Sequence, residues 1–257
     1  MAKYAGVDIS YCQPDVDYSA LKSGKILGYP VKFVMIRAAY GTSMDKYFLQ
    51  HVRGCLAAGL YVGVYLFSTA KNTAQAKAEA EWLISTIKAN KLDGKITYPI
   101  AYDLEMESQY KLGKTVCTAM CKAFMDTIAA YNYHPMLYTN INWICCHLNY
   151  DELKDYPLWL AAYISKAKVR KYIKKYDMWQ HSVAGHKYYD VQGVGAVPGI
   201  IGQCDCNWAY KGFAAQIRKA GKNVPLVKLS AEISVAQSKA EGISKKLKAL
   251  GCSVKTE

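Results

Sequence analysis

The sequence predicts an α/β barrel of eight strands and about five helices, an incomplete TIM-like relative of the (β/α)8 barrel that can be written (β/α)5(β)3. Apolar runs of strand length alternate with helical patterns through the first five units, which favours parallel strands and right-handed crossovers. After residue 158 the strands follow one another without long helices. A chain of 257 residues with 52% apolar content is long enough to bury one such core.

Hydrophobic periodicity places each element in turn. Eight apolar runs have the length of strands: 4–9, 33–39, 61–67, 96–105, 135–139, 158–164, 177–181 and 202–207. Five segments have helical spacing: 18–25, 46–58, 73–90, 115–130 and 142–148. Asn72 and Gly113 stand where helices are expected to begin, and Gly59 and Asn132 where helices are expected to end.

The charge and the N-terminus restrict the class of partner. A formal net charge of +13, of which residues 211–257 contribute +7 (ten basic less three acidic), favours polyanions such as nucleic acid, anionic lipid or acidic wall polymers. We expect no nucleic-acid binding, because no basic motif is interleaved with aromatic residues. The N-terminus lacks a signal-peptide core, and no apolar run approaches the roughly 18 residues of a membrane span. We therefore expect synthesis in the cytosol and no membrane insertion.

The nine cysteines indicate reduced thiols, because their number is odd and no CxxC pair has a matching second pair. The segment Cys145–His147 and the pair His181 and His186 match no standard metal spacing, so we expect neither metal nor cofactor. Cys204 and Cys206 share one face of the eighth strand. We expect these two cysteines to act as small apolar side chains that fill space in the barrel. The alternative is a switch formed by the two thiols.

Two carboxylates end the fourth predicted strand. Asp103 and Glu105 are two residues apart, and side chains alternate across a strand, so both lie on one face. Carboxylates held together repel, which raises the pKa of one and leaves a proton donor beside a charged partner. Glycosidases use such a pair of carboxyl groups, one protonated and one ionised, in catalysis. A strand that runs out into a solvated acidic turn would give the same pattern.

Further polar or aromatic residues lie at other strand ends, where barrels of this kind place their chemistry. They are Asp8 on the first strand, Tyr65 and Phe67 on the third, Tyr138 and Asn140 on the fifth, Gln180 on the seventh, and Asp205 with Asn207 on the eighth. Tyrosine is abundant, with 22 residues, and aromatic rings stack on sugar faces. Tyr65, Tyr138 and Trp179 are therefore candidates for a sugar groove, whereas Trp82 and Trp159 are expected in the core.

Seven segments in order resemble family 25 of the glycoside hydrolases, the lysozyme-like muramidases of phage endolysins and bacterial wall hydrolases. The resemblance covers about residues 4–210. The matching segments are Gly6–Ser10 with Gln13, Gly63–Phe67, Tyr102–Glu105, Tyr138–Asn140, Pro157–Tyr163, Trp179–Gln180, and Pro198–Ile200 leading to Asp205 and Asn207.

The resemblance implies roles for four carboxyl groups in these segments. Glu105 would be the general acid, and Asp103 would stabilise charge at the anomeric centre or orient the substrate's acetamido group. Asp8 and Asp205 would shape and polarise the floor of the site. Residues expected to contact the substrate are Tyr65, Tyr138, Gln180, Trp179 and Asn207. The substrate would be bacterial peptidoglycan, cleaved at the β-1,4 bond between N-acetylmuramic acid and N-acetylglucosamine, with substrate-assisted retention.

Three departures from the family pattern concern substrate contacts. Many members have a Lys-x-Ser/Thr-Glu-Gly segment where this chain has Arg37–Gly41. Leu66 stands where a histidine often follows the tyrosine of strand three, and Cys206 stands where an aliphatic residue is usual. None of these changes removes a carboxyl.

The chain is expected to divide into a catalytic barrel, residues 1–212, and a basic extension, residues 213–257. The extension contains a strand-helix-strand pattern with its helix near 235–250, and it resembles half of a SPOR-type peptidoglycan-binding repeat. We interpret it as a linker with a partial wall-binding module. The missing signal peptide indicates an endolysin that reaches the wall through a holin-type pore, or a trimmed form of a secreted hydrolase.

Two other functions are compatible with a sugar groove on a barrel. A peptidoglycan- or chitin-binding barrel would keep the groove without turnover, but such a lectin would have little need of a proton donor. A chitinase-type glycosidase would have a D-x-x-D-x-D-x-E style signature, which the fourth strand lacks.

Overall fold

The computed structural model describes residues 3–225 and 237–249. The chain forms two compact units, Met1–Pro225 and Leu226–Glu257. The first unit is an α/β barrel. In the second, the described part is one helix, Gln237–Ala249, close to the predicted range 235–250. The strands predicted to flank this helix lie outside the described residues.

Ten strands and seven α-helices make up the described elements. The strands are β1 Tyr4–Ile9, β2 Lys25–Ile26, β3 Tyr29–Tyr40, β4 Ser43–Met44, β5 Tyr61–Phe67, β6 Ile100–Asp103, β7 Pro135–Asn140, β8 Leu158–Ala161, β9 Met178–Ala184 and β10 Cys204–Ala209. The α-helices are α1 Tyr18–Ser23, α2 Phe48–Ala57, α3 Thr73–Ala89, α4 Gly113–Ala130, α5 Lys166–Tyr172, α6 Phe213–Lys219 and α7 Gln237–Ala249. Short 3-10 helices span Glu107–Leu112 and Tyr150–Leu153, and a π-helical turn spans Trp143–His147.

Eight of the strands close into a barrel in the order β1-β3-β5-β6-β7-β8-β9-β10, because β1 pairs with both β3 and β10. Neighbouring strands are parallel from β1 round to β9. The last strand, β10, is antiparallel to both β9 and β1. The predicted barrel is confirmed, with its eighth strand reversed in direction.

Local sequence determines where the elements begin and end. Asn72 caps α3, as its sequence position predicts, by accepting a 2.9 Å hydrogen bond from the backbone N–H of Gln75. The strand predicted over 96–105 is shorter. It begins after Pro99, which has no N–H to contribute to a ladder, and it ends at Asp103.

Two layers of apolar side chains hold the barrel together. One lies between the strands and the surrounding helices, and the other fills the interior with rings such as Phe33, Tyr98 and Trp159. Gly6 makes room for this filling, because a Cβ at that position would lie 2.5 Å from the Phe33 ring. Phe213 of α6 belongs to the interior cluster. Residues 213–225 are therefore part of the barrel unit, and the boundary expected after residue 212 falls inside it.

Among the described residues, no helix combines the length and apolar character that crossing a bilayer requires.

Candidate active site

One end of the barrel interior is acidic. Asp8 near the end of β1 and Asp103 at the end of β6 are 5% and 2% exposed. We call this end the mouth. The apolar side chains of the interior cluster do not extend past these carboxyls. The carboxyls therefore mark the end of the apolar core at the mouth.

Asp205 joins the mouth from the opposite strand direction. The sequence predicts that it ends the eighth strand, but it is the second residue of β10. Because β10 is antiparallel to β1, the beginning of β10 lies beside the end of β1, and Asp205 pairs with Asp8. The position at the mouth was expected, but the reason for it was wrong.

A hydrogen-bond network fixes the Asp8 carboxylate. Asn207 Nδ2 donates to Asp8 Oδ2 at 2.6 Å, and Gln180 Nε2 donates to Oδ1 and Oδ2 at 3.1 and 3.0 Å. The amide oxygens are occupied by other donors: Trp159 Nε1 bonds to Asn207 at 2.7 Å, and Tyr138 Oη bonds to Gln180 at 2.9 Å. Each amide therefore presents its NH2 group to Asp8.

This network changes the interpretation of two predicted substrate contacts. Asn207 is fully buried and Gln180 is 2% exposed, so the structure places both in the floor beneath Asp8. Tyr163, which sequence reasoning did not single out, donates to Gln180 Oε1 at 2.7 Å, and its hydroxyl oxygen lies 3.4 Å from Asp205 Oδ1. It links two members of the acidic mouth.

Trp179 does not belong to the mouth, contrary to the prediction. Gln180 points into the barrel, and side chains alternate along β9, so Trp179 points outward. Its indole packs in the layer between the strands and the surrounding helices and donates to the carbonyl of Ala162 at 2.8 Å. Tyr65 and Tyr138 do face the interior, where both rings contact Trp159 edge-on.

Hydrogen bonds to backbone carbonyls fix the chain at Asp103 and Leu104, and so position Asp103 and Glu105 at the end of β6. The N–H of Ser68 donates to the Asp103 carbonyl at 2.9 Å, and Thr139 Oγ1 donates to the Leu104 carbonyl at 2.8 Å. Glu105 follows the end of the strand and lines a cleft of about 330 Å3 with Tyr138, Asn140 and Tyr163 among others. Asp103 lies deeper, and its buried Oδ1 has no hydrogen-bond partner among the described residues.

The four carboxyls hold protons more tightly than free acids do. Burial, with the charge of Asp8, raises the pKa of Glu105 to about 7. Burial raises the pKa of Asp8 to about 6 against the opposing effect of its two amide donors. Burial and neighbouring carboxylates raise the pKa values of Asp103 and Asp205 well above the usual range. Near neutral pH the cluster therefore holds both protonated and ionised members.

The positive charge of Arg37 acts on this cluster and opposes the rise in the pKa of Asp103. Its guanidinium is held by Asp45, with Nη2 and Nε at 2.9 and 3.0 Å from Oδ2, and lies 4.5 Å from the centre of the Tyr11 ring. The sequence signal for this role is Arg37 itself, a basic residue inside the apolar strand β3. In the sequence analysis it was interpreted only as a departure from the family pattern.

Aromatic side chains form two sides of the mouth, and of these residues only Phe67 was singled out from the sequence. Tyr40 stacks on Phe67 with centroids 5.0 Å apart and planes 12° apart, and it is 50% exposed. Across the acids from the ends of β3 and β5, Tyr163 contacts Tyr189 of the loop between β9 and β10. Exposed rings beside carboxyls suit the apolar faces of sugars.

The described residues contain no group of three His, Cys, Asp or Glu side chains placed to hold an ion. His181 is buried and stacks on Trp208, and Cys145 and Cys146 are exposed free thiols.

Protonated and ionised carboxyls gathered at the mouth of an α/β barrel define a glycosidase-type protein. The chain belongs to glycosyl hydrolases family 25, whose family model matches residues 7–188. The family predicted from the sequence is confirmed. A search of the curated proteins gives no match.

Three solved structures illustrate the similarity. The CTP1L endolysin is 26% identical, with 96% of this chain and 80% of that chain covered and a TM-score of 0.64. The muramidase from Trichobolus zukalii is 26% identical, with 84% and 98% covered and a TM-score of 0.61. The catalytic domain of endolysin ply40 from bacteriophage P40 of Listeria monocytogenes shares the fold at 23% identity, with 84% and 98% covered and a TM-score of 0.64.

Proposed function

We propose that this chain is a muramidase, which hydrolyses the β-1,4 bond between N-acetylmuramic acid and N-acetylglucosamine in bacterial peptidoglycan. The observation that carries the proposal is Glu105, a cleft-lining carboxyl with a pKa raised to about 7, in a cluster with Asp205 and the two more deeply buried acids Asp8 and Asp103. Similarity to an endolysin and to a muramidase supports the choice of substrate.

Glu105 acts as the general acid in this proposal. It lines the cleft, whereas Asp8 and Asp103 are almost completely buried. With a pKa near 7 it carries a proton under neutral conditions and gives that proton to the leaving glycosidic oxygen. The same carboxylate then accepts a proton from the water that completes hydrolysis.

Asp103 orients the substrate's 2-acetamido group. Its Oδ1 is buried without a hydrogen-bond partner in the described part of the chain, so the acetamido N–H satisfies this acceptor once Asp103 turns toward the cleft. The acetamido oxygen then attacks the anomeric carbon as the glycosidic bond breaks, and water later opens the cyclic intermediate with net retention. Asp8 and Asp205 keep the floor polar, and Gln180 and Asn207 act as positioning residues for Asp8.

The enzyme would act on the cell wall outside the cytosol. Release through another protein's membrane pore, or secretion of a longer form, would bring it there. Its excess of positive charge suits a wall rich in anionic groups.

The test is cleavage of purified Gram-positive walls by the wild type, Glu105→Gln and the matched control Glu107→Gln. Glu107 is exposed and only two residues away. New muramic-acid reducing ends, identified by mass after reduction, should form with the wild type and the control but not with Glu105→Gln. N-acetylglucosamine reducing ends would contradict the bond assignment, and binding without cleavage by any variant would establish the lectin alternative.

A further inference from the structure

A second feature of the barrel unit is a cluster of positive charge away from the mouth. Segment 166–175, which is α5 and the residues after it, contains six basic and no acidic side chains. We call these six residues the basic flank. All are exposed: Lys166, Lys168, Arg170, Lys171, Lys174 and Lys175.

The charges of the basic flank are not neutralised within the fold. Among the described residues, none of the six has a carboxylate within 4.0 Å, although other cations such as Lys77 and Lys122 do. The carboxylate of the nearby Asp177 forms an ion pair with Lys211 instead, with Nζ 2.7 Å from Oδ1. Like charges at adjacent positions repel and cost folding free energy, so this arrangement does not stabilise the barrel.

The basic flank continues onto neighbouring elements. Burial and the charge of Lys166 lower the pKa of Lys3, which precedes β1. Lys166 Nζ lies 5.1 Å from the centre of the Tyr210 ring, and the charge of Arg170 acts on Tyr176 and Tyr210. Cations and tyrosines from three separate parts of the chain therefore share one surface.

This surface is separate from the acidic mouth but adjoins it. Tyr210 directly follows β10 and is five residues beyond Asp205, about 16 Å toward the opposite end of the barrel. Ile164, two residues before α5, lines the same cleft as Glu105. A polymer attached to a glycan in the cleft could therefore continue along the flank.

We propose that the basic flank binds the phosphodiester chain of an anionic cell-wall polymer while the mouth engages the glycan. The choice of polymer rests on the proposed muramidase function. Five of the six residues are lysines, which act as flexible point charges and need no fixed bidentate geometry, so they suit a mobile, repetitive polyphosphate. Such binding weakens steeply with salt.

Co-sedimentation of the full chain with walls tests this proposal, using walls before and after hydrofluoric acid removes the phosphodiester polymer. The variant carries four substitutions, Lys166→Gln, Lys168→Gln, Arg170→Gln and Lys171→Gln. The control removes four exposed lysines elsewhere, with Lys71→Gln, Lys77→Gln, Lys88→Gln and Lys95→Gln.

The variant should bind untreated walls at least about tenfold more weakly than the control at low salt, and the two should bind stripped walls equally. Equal binding to untreated walls would overturn the proposal. So would preference for DNA or anionic lipid vesicles over purified wall polymer in competition. Cleavage of soluble glycan fragments should be unchanged in the variant. Failure of the wild type in that assay would count against the muramidase function alone.

Discussion

At the level of single residues, the proposed catalysis depends most on the proton held by Glu105. Only the protonated form can serve as the acid, and that form is lost as the pH rises past about 7. We expect the rate on soluble peptidoglycan fragments to fall about tenfold per pH unit above this value. Initial rates between pH 5 and 9 measure this, and a level profile up to pH 9 would count against Glu105 as the acid.

The charge of Asp8 helps to set that pKa. Asp8→Asn removes a negative charge that favours the protonated form of Glu105, so the pKa of Glu105 should fall. The alkaline limb of the pH–rate profile should therefore move to lower pH. Asp155→Asn, an exposed control, should leave the limb in place. An unmoved limb in Asp8→Asn would mean that the two carboxyls do not interact.

The sequence identified the acids better than their surroundings. Asp103 and Glu105 were predictable because an apolar run leads directly into them. The roles of Gln180 and Asn207 were not, because only the fold shows that both amides are turned toward Asp8. Arg37 was missed as part of the site because its partner Asp45 lies eight residues on, and only the fold brings the two side chains together.

At the level of elements, periodicity predicted the strands but not their direction. Nothing in the apolar run of β10 distinguishes a parallel from an antiparallel neighbour, so Asp205 was expected at the wrong end of its strand. The misplacement of Trp179 has a related cause. Adjacent polar and aromatic residues cannot both face the mouth, and the sequence alone does not say which one points inward.

Helix α6 packs against the apolar filling of the barrel interior through Phe213, Ala214 and Ile217, although this helix was assigned to an extension in the sequence analysis. Phe213 is fully buried beside Phe33 and Tyr98. We expect Phe213→Ala to lower the free energy of unfolding by about 3–5 kcal/mol, because it leaves a cavity in the core. Gln216→Ala, on the exposed face of the same helix, should change it by less than about 0.5 kcal/mol. Urea unfolding measures both changes in free energy. Equal changes in the two variants would show that Phe213 does not pack against the interior of the barrel.

At the level of the whole molecule, the acidic mouth makes stability depend on pH. The folded state holds protons that the unfolded chain releases at lower pH. Unfolding is therefore favoured increasingly as the pH rises from about 4.5 through about 7, the ordinary and raised pKa values of Glu105. The melting temperature should fall across this range even though the protein is strongly basic.

Neutralising the deepest acid should reverse part of this loss. Asp103→Asn removes a carboxyl whose pKa burial raises well above its usual value, so it should raise the melting temperature at pH 8 and change it little at pH 4. Asp155→Asn is the exposed control. Equal stability of wild type and Asp103→Asn at pH 8 would mean that Asp103 ionises freely in the folded protein.

The most direct test of Glu105 as the proton donor compares two leaving groups in the wild type and Glu105→Gln. A natural glycosidic oxygen needs a proton to leave, whereas a dinitrophenolate does not. Glu105→Gln should lose about 10² to 10⁴ in rate on a natural oligosaccharide but stay within about tenfold of wild type on the dinitrophenyl glycoside. Equal losses on both substrates, or no loss on either, would show that Glu105 is not the proton donor.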